Sequence, residues 1–381
     1  MKYRNFGRLD WQPSALGFGC MRLPTTDNQP TGANIDEKLS IRMIRHAIDE
    51  GVNYIDTAYP YHQGNSEIVT GKALQDGYRA RVKLATKLPV WLISESADFD
   101  RLLAEQMKKL STDHIDFYLL HALNKWRWTE LVLKHKLLEK AEKALKDGRI
   151  GYLGFSFHDS FDVFEEILNA FDWSFCQIQY NYMDINIQAG TRGLKLAARK
   201  GLGVIVMEPL MGGHLASPPQ AVRQAMDRLA SRYTPADLAL QWIWNQPGVS
   251  VVLSGMSNME QVDENLKSAD RSAVKGFDME EHKVIAELRR RYRTKLAVPC
   301  TSCQYCMPCP NGVDIPVNFE LFNYAHLYDD IPVAQFRYSI YLPKSQRSDK
   351  CIDCKECEDK CPQKIEISSW MPKITKMLST T

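Results

Sequence analysis

Asp36-Glu-Lys-Leu-Ser-Ile-Arg-Met-Ile-Arg-His-Ala-Ile-Asp-Glu-Gly51-Val-Asn-Tyr-Ile-Asp56-Thr-Ala58 holds one unit of a repeating plan. Ile41, Ile44 and Ile48 recur at helical spacing, and Gly51 supplies the stop. A short apolar run, Val52–Ala58, follows at once. The same alternation recurs along the chain. Apolar runs at Ser14–Leu23, Val82–Leu88, Ile115–Ala122, Ile150–Phe157, Phe175–Tyr180, Leu202–Leu210 and Val249–Gly255 are separated by amphipathic helical patterns. Glu139–Lys146 is one of these patterns, with Gly148 as its stop. Strands that are apolar on both faces belong to a parallel sheet covered by helices. Eight of them, each followed by a helix or connection, predict an α/β fold, a (β/α)8 TIM barrel. A doubly wound sheet is the alternative, but no G-x-G-x-x-G follows the first run.

Past about residue 270 the alternation stops, and a charged helical pattern leads into a cysteine-rich stretch. The expected division is therefore a barrel over residues 1–272 and a second domain over 273–381. The 381 residues suit a large barrel with an appendage. The net charge of +2 gives no broad electrostatic case for nucleic acid or an anionic membrane surface. No apolar run approaches the roughly 20 residues of a membrane span, and none at the N-terminus suits a signal peptide. With many free cysteines, this points to a reducing cytoplasm.

Eight of the ten cysteines lie beyond residue 299, in two runs. The first is Cys300, Cys303, Cys306 and Cys309, and the second is Cys351, Cys354, Cys357 and Cys361. Each run spaces three cysteines two residues apart and ends in Cys-Pro. That is the arrangement of bacterial two-cluster ferredoxins, in which the fourth cysteine of a run ligates the other cluster. The second run keeps the three-residue gap before its last cysteine, and the first has two. Structural zinc also takes C-x-x-C pairs, but it needs neither a third cysteine in each run nor the trailing proline. Two [4Fe–4S] clusters are expected. The residues between the runs show a helical pattern around Phe319, Phe322 and Leu327 and no alternating strand. The second domain should be ferredoxin-like in its ligands but mainly helical.

In a TIM barrel the reactive groups sit at the C-terminal ends of the strands and in the loops beyond. Asp56 ends the second run, with Tyr61 in the loop after it. Lys87 ends the third run and His121 the fourth. Ser156 stands near the end of the fifth and Gln177 within the sixth. A phenol near pKa 10 is too weak an acid at neutral pH unless a cation favours its phenolate. Lys87, held by Asp56, would supply that cation, and Tyr61 would become a general acid towards a carbonyl oxygen. His121 would orient that oxygen or share its proton. Trp91, Trp126 and Trp128 follow strands three and four as candidate walls of a substrate pocket. His62 and His158 read as loop residues.

Asp-Thr-Ala-Tyr-Pro-Tyr (56–61), Ala-Thr-Lys (85–87) and Leu-Leu-His-Ala (119–122), in that order, resemble the aldo-keto reductase family. The likeness spans about residues 1–270 and implies a catalytic tetrad of Asp56, Tyr61, Lys87 and His121. It implies hydride transfer between NADP or NAD and an aldehyde or ketone. It also implies a cofactor site at Gly19, Cys20, Met21, Asp56, Ser156, Gln177, Met207, Pro209, Leu210, Gly255, Ser257, Gln261, Glu264 and Asn265. The C-terminal runs resemble those of a subgroup that carries a ferredoxin-like domain. Phe157 stands where the family usually has Asn, and Met207 where it often stacks an aromatic ring. Residues 254–261 contain neither Lys nor Arg, so the charged partners usual for a 2′-phosphate are missing there.

A nicotinamide moves two electrons at once and a cluster moves one. Two roles for the clusters stay open, structural or electron-relaying with a redox partner protein. A barrel-bound flavin would serve the second role, although no flavin motif is evident. A redox or iron sensor is the reading from another class, and an intact tetrad counts against it. A small carbonyl or alcohol is the expected substrate, and loop residues set its identity.

Overall fold

The computed structural model describes residues 1–27, 29, 31–294, 296–300, 306–361 and 363–379. Eight parallel strands close in sequence order into a barrel. They are β1 (Leu16–Gly19), β2 (Tyr54–Asp56), β3 (Lys83–Leu88), β4 (Ile115–Leu123), β5 (Ile150–Phe157), β6 (Phe175–Gln179), β7 (Gly203–Met207) and β8 (Val251–Ser254). The expected barrel is the observed one. The first apolar run is divided, with strand only to Gly19 and then a turn over Cys20–Arg22. Helices cover the outside, among them α1 (Glu37–Asp49), α2 (Asn65–Ala73) and α3 (Asp98–Lys109). Asp36 caps α1 by accepting from the Leu39 amide, so the charge that opens the helix also satisfies one of its orphan donors.

An N-terminal hairpin, bridged between Phe6 and Leu9, closes the floor of the barrel. Phe6 is fully buried in a cluster with Tyr54, Phe117, Phe175, Ile205 and Val251. Its ring meets Phe117 at 5.1 Å and Trp11 at 5.5 Å, tilted or edge-on as ring quadrupoles prefer. Glycine at 203 is a steric requirement of this plug, since a Cβ there would lie 2.4 Å from a Phe6 ring carbon. A packed floor leaves only the C-terminal rim of the strands for chemistry.

Packing divides the chain into two compact units, 1–217 with 232–278, and 218–231 with 279–381. Residues 273–278 stay with the barrel because the amides of Lys275 and Phe277 donate to the backbone and side chain of Asn245. In the second unit, the helix Met279–Arg293 packs against the segment Gln224–Leu229. Ile315–Tyr328, Ile331–Tyr341 and Ile367–Leu378 form a further helical group. Phe319, Phe322 and Leu327 are buried, as their spacing predicts. No strand occurs in this unit among the described residues. No helix among the described residues is long and apolar enough to cross a membrane.

Phe6→Ala should destabilise the protein by about 3–5 kcal/mol, because it opens a cavity at the floor of the barrel. Denaturant unfolding followed by tryptophan fluorescence would read this, and an unchanged midpoint would refute the plug's contribution.

Candidate functional site

The tetrad residues gather at the mouth of the barrel. Lys87, on β3, is 1% exposed. Its Nζ donates to Asp56 Oδ1 at 2.6 Å, to the Thr57 carbonyl at 2.8 Å and to Tyr61 Oη at 3.3 Å. Burial alone would lower the Lys87 pKa. The Asp56 carboxylate and Tyr61 outweigh that, and it stands above its ordinary value. The ammonium therefore stays charged next to the phenol. A buried charge is tolerable only when paired and hydrogen-bonded, and all three of its protons have acceptors.

Tyr61 is delivered by a tight turn rather than a regular helix. His62, Gln63 and Gly64 all adopt left-handed backbone angles, with φ of 51°, 55° and 95°. His62 anchors this turn. The Leu23 amide donates to its Nε2 at 3.1 Å, so Nδ1 carries the proton and donates to the Gly32 carbonyl at 2.7 Å. His62 is thus a loop residue that ties the turn to the segment after β1.

His121 lies beyond Tyr61, with ring centroids 6.1 Å apart. Burial first, then the cationic neighbours Lys87, His158 and Arg127, hold its pKa well below the ordinary value. The imidazole is neutral, which suits orientation of a substrate oxygen rather than acid catalysis. Trp91 approaches His121 at 5.1 Å, and Arg127 sits 5.1 Å over the Trp91 ring. Trp91 thus borders the tetrad. Trp128 is buried and packs 6.4 Å from Trp173, while Trp126 is exposed.

A polar layer behind Lys87 escapes sequence reading. Glu67 of α2 is fully buried, and its Oε1 accepts from Thr86 Oγ1 and Gln106 Nε2, each at 2.7 Å. The same Gln106 amide donates to the Lys87 carbonyl at 3.0 Å, and its oxygen accepts from Tyr118 at 2.7 Å. Burial raises the Glu67 pKa, against the Thr86 and Gln106 hydrogen bonds. The layer joins the helix that follows Tyr61 to the strand that carries Lys87. A buried Gln106 at helical spacing looks, in sequence, like any surface glutamine, so no local signal could have found it.

The remaining cofactor candidates lie on β1, β5, β6 and β7 or in the segments that follow β1, β7 and β8. Gly19 closes β1, and a Cβ there would lie 3.2 Å from the Ser254 carbonyl. Cys20 is buried, and burial above all pushes its thiol up to about 12. Met21 is half-buried in the turn that follows. Ser156 Oγ accepts from the Ala122 amide at 2.7 Å, which leaves its proton to donate. Its strand neighbour Gln177 is 1% exposed. Met207 ends β7, with Pro209 and Leu210 just beyond. Asn265 donates to Ser254 Oγ, and the Ser257 amide and hydroxyl both donate to Gln261 Oε1. Gly255 and Glu264 are exposed.

Among the described residues, Asp56 Oδ2, His121 Nδ1 and Gln177 Oε1 are buried without a hydrogen-bond partner. Buried polar atoms seldom stay unsatisfied without a purpose. Three of them, on β2, β4 and β6, suit a polar ring such as nicotinamide with its carboxamide, together with a carbonyl substrate.

The second unit has a cavity lined by Cys309 of the first cysteine run and by Cys351, Cys354 and Cys357 of the second. Val313, Ile315, Ile367 and Met371 complete an apolar wall. Burial, and then charge on Glu358, Cys351 and Cys309, push the Cys357 thiol up to about 11, against a lowering backbone hydrogen bond. No group of three or more candidate ligands among the described residues is gathered tightly enough for a single metal ion. Four cysteines around one cavity are thiolate donors of the kind a four-iron cluster takes. Cys300 and Cys306 are half-buried and Cys361 is 7% exposed, while Cys303 lies outside the described residues.

Residues 15–289 match the profile of the aldo/keto reductase family, and residues 299–366 match a 4Fe-4S dicluster domain. The chain belongs to the aldo/keto reductase family and is an oxidoreductase with a C-terminal 4Fe-4S domain. A probable aldo-keto reductase 1 of Glycine max is 26% identical over 68% of this chain and 82% of its own length. The uncharacterized oxidoreductase YqkF of Bacillus subtilis is 27% identical over 71% of this chain and 92% of its own. Among solved structures, the holo form of aldo-keto reductase AKR11C1 from Bacillus halodurans superposes with a TM-score of 0.63 at 26% identity. It covers 76% of this chain and 96% of that one. The thermostable aldo-keto reductase Tm1743, solved with the inhibitor epalrestat, also gives 0.63 at 25% identity. It covers 76% of this chain and all of that one.

Gln106→Leu should cost about 1–3 kcal/mol, because it strips Glu67, the Lys87 carbonyl and Tyr118 of a shared partner. Denaturant titration checks this, and a neutral result would show the layer to be dispensable.

Proposed function

We propose that the protein reduces small aldehydes or ketones with NADPH or NADH, or runs the reverse reaction, with Tyr61 as general acid and base. The observation that carries this is the Lys87 ammonium, shared between Asp56, Thr57 and the Tyr61 hydroxyl. A cation 3.3 Å from the phenol oxygen favours the phenolate, which eases proton donation from Tyr61 to a substrate oxygen. Asp56 keeps Lys87 charged and in place. Neutral His121 offers its ring to orient the same oxygen, and Trp91 limits the space beside it. A bound nicotinamide supplies or accepts the hydride. Ser156 and the unsatisfied Gln177 Oε1 are the residues that would hold its carboxamide. The barrel mouth, closed at its floor by Phe6, keeps bulk water from one side of the site.

Tyr61→Phe should lower nicotinamide-dependent carbonyl reduction by about 10²–10⁴-fold, with fold and iron content unchanged. Spectrophotometric assay against a panel of small carbonyls reads this, and undiminished turnover would sink the assignment.

In the second unit the reading is two [4Fe–4S] clusters with exchanged ligands. Cys351, Cys354 and Cys357 would hold one with Cys309, and Cys300, Cys303 and Cys306 would hold the other with Cys361. The shared cavity supports the first set. Each cluster would then tie the two runs together, which is a structural role. The expected boundary between reductase and cluster domains, near residue 272, is part of the same proposal.

Anaerobically purified protein should contain about eight iron atoms per chain, as two four-iron clusters require. One or two zinc ions instead would overturn this. In the same sample, NADH or NADPH should leave the cluster absorbance intact. Bleaching would reveal an electron relay, and a bound flavin would show in that spectrum.

A further inference from the structure

The end of β4 carries a backbone irregularity that proton and hydride transfer do not explain. Pairing between β4 and β5 shifts register between Leu120 and Leu123. Ala122, directly after His121, has a φ of 53°, a left-handed angle uncommon for a residue with a Cβ. Strain of this kind persists only where surrounding contacts hold it, and it collects at functional sites. Two contacts hold Ala122. Its amide donates to Ser156 Oγ, and its carbonyl accepts from Arg127 Nη1, each at 2.7 Å. The left-handed turn thus aims a carbonyl that fixes where the Arg127 guanidinium lies.

That guanidinium stands close to the tetrad. It is 5.1 Å over the Trp91 ring, and the Trp91 ring is 5.1 Å from that of His121. Two short steps lead from the imidazole that orients the substrate oxygen to a permanent positive charge. His158 lies beside the same bulge, where its amide donates to the Leu123 carbonyl. The charges that bear on His121, those of Lys87, His158 and Arg127, are all cationic. The carboxylates near them are committed elsewhere. Asp56 accepts from Lys87, and Asp159 accepts from the amides of Lys125 and Ser160. A neutral carbonyl compound gains nothing from such surroundings, whereas an anionic one does. The planar fork of a guanidinium matches the two oxygens of a carboxylate.

We infer that Arg127 binds a carboxylate of the substrate, and that the substrate is a short oxo acid, an aldehyde or ketone with an acid group a few carbons away. This rests on the reading of the barrel as a nicotinamide-dependent carbonyl reductase. With the carbonyl oxygen between Tyr61 and His121, the carboxylate reaches Arg127 past the Trp91 ring. Tyr61 supplies the proton and the nicotinamide the hydride, so the product is the hydroxy acid with its carboxylate unchanged. Arg127 is then the residue that selects acids from neutral carbonyls.

The test uses matched pairs of carbonyl compounds with the iron-loaded chain and either nucleotide. 4-Oxobutanoate is compared with butanal, 2-oxobutanoate with butanone, and glyceraldehyde 3-phosphate with glyceraldehyde. In the parent protein kcat/KM should favour at least one oxo acid over its neutral partner by about tenfold or more, as a charge-assisted contact supplies. Arg127→Gln should lower that acid-to-neutral ratio by about tenfold to hundredfold, mainly through KM for the acid. Circular dichroism and iron content should match the parent. If the glutamine variant does not fold, Arg127→Lys takes its place, since it keeps the charge, loses the planar fork and should still lower the ratio. An unchanged ratio in the folded variant overturns the inference, as does a parent that turns over both members of each pair equally. A preference confined to the phosphorylated aldehyde also overturns it and assigns the anion to a phosphate. A parent that reduces no member of any pair sinks the reductase reading together with this inference, a result distinct from turnover without preference for the acid.

Discussion

The ion pair between Lys87 and Asp56 is the constraint around which the barrel mouth is arranged. An ammonium 1% exposed would be expelled or neutralised without a counter-ion, because the penalty for desolvating it is several kcal/mol. Oδ1 of Asp56 at 2.6 Å and the Thr57 carbonyl at 2.8 Å supply the compensation, and Tyr61 takes the third proton. The residues behind the pair serve its geometry. Gln106 fixes the Lys87 backbone, and Glu67 fixes Gln106 and Thr86. His62 locks the left-handed turn that presents Tyr61.

Strand period and strand ends made much of this readable. Asp56, Lys87 and His121 could be singled out because near-continuous apolar runs rarely close on an ionisable residue without purpose. Tyr61 could be singled out because it follows such an end. Glu67 and Gln106 could not be, since each sits on an ordinary amphipathic helix and their meeting depends on tertiary packing. The division of the second unit was also partly hidden. Nothing in residues 218–231 marks them as companions of a helix that begins at Met279.

The cysteine runs were legible from spacing alone, because three thiols two residues apart have few other uses. What spacing could not give is the environment of each sulfur. Cys309 shares one apolar-walled cavity with three cysteines about 45 residues further along the chain. That long-range closure would tie the two cysteine runs of the helical unit together.

The two barrel thiols stand apart from the described cysteines of the C-terminal runs. Cys20 and Cys176 are fully buried in the barrel, and burial drives both pKa values upward, that of Cys20 to about 12. Thiolate is the form that oxidants and electrophiles attack. The barrel thiols are therefore inert, whereas Cys354 of the second run is exposed. Among the described cysteines the exposed one, Cys354, therefore offers peroxide the readiest thiol, far along the polypeptide from the residues of the barrel mouth.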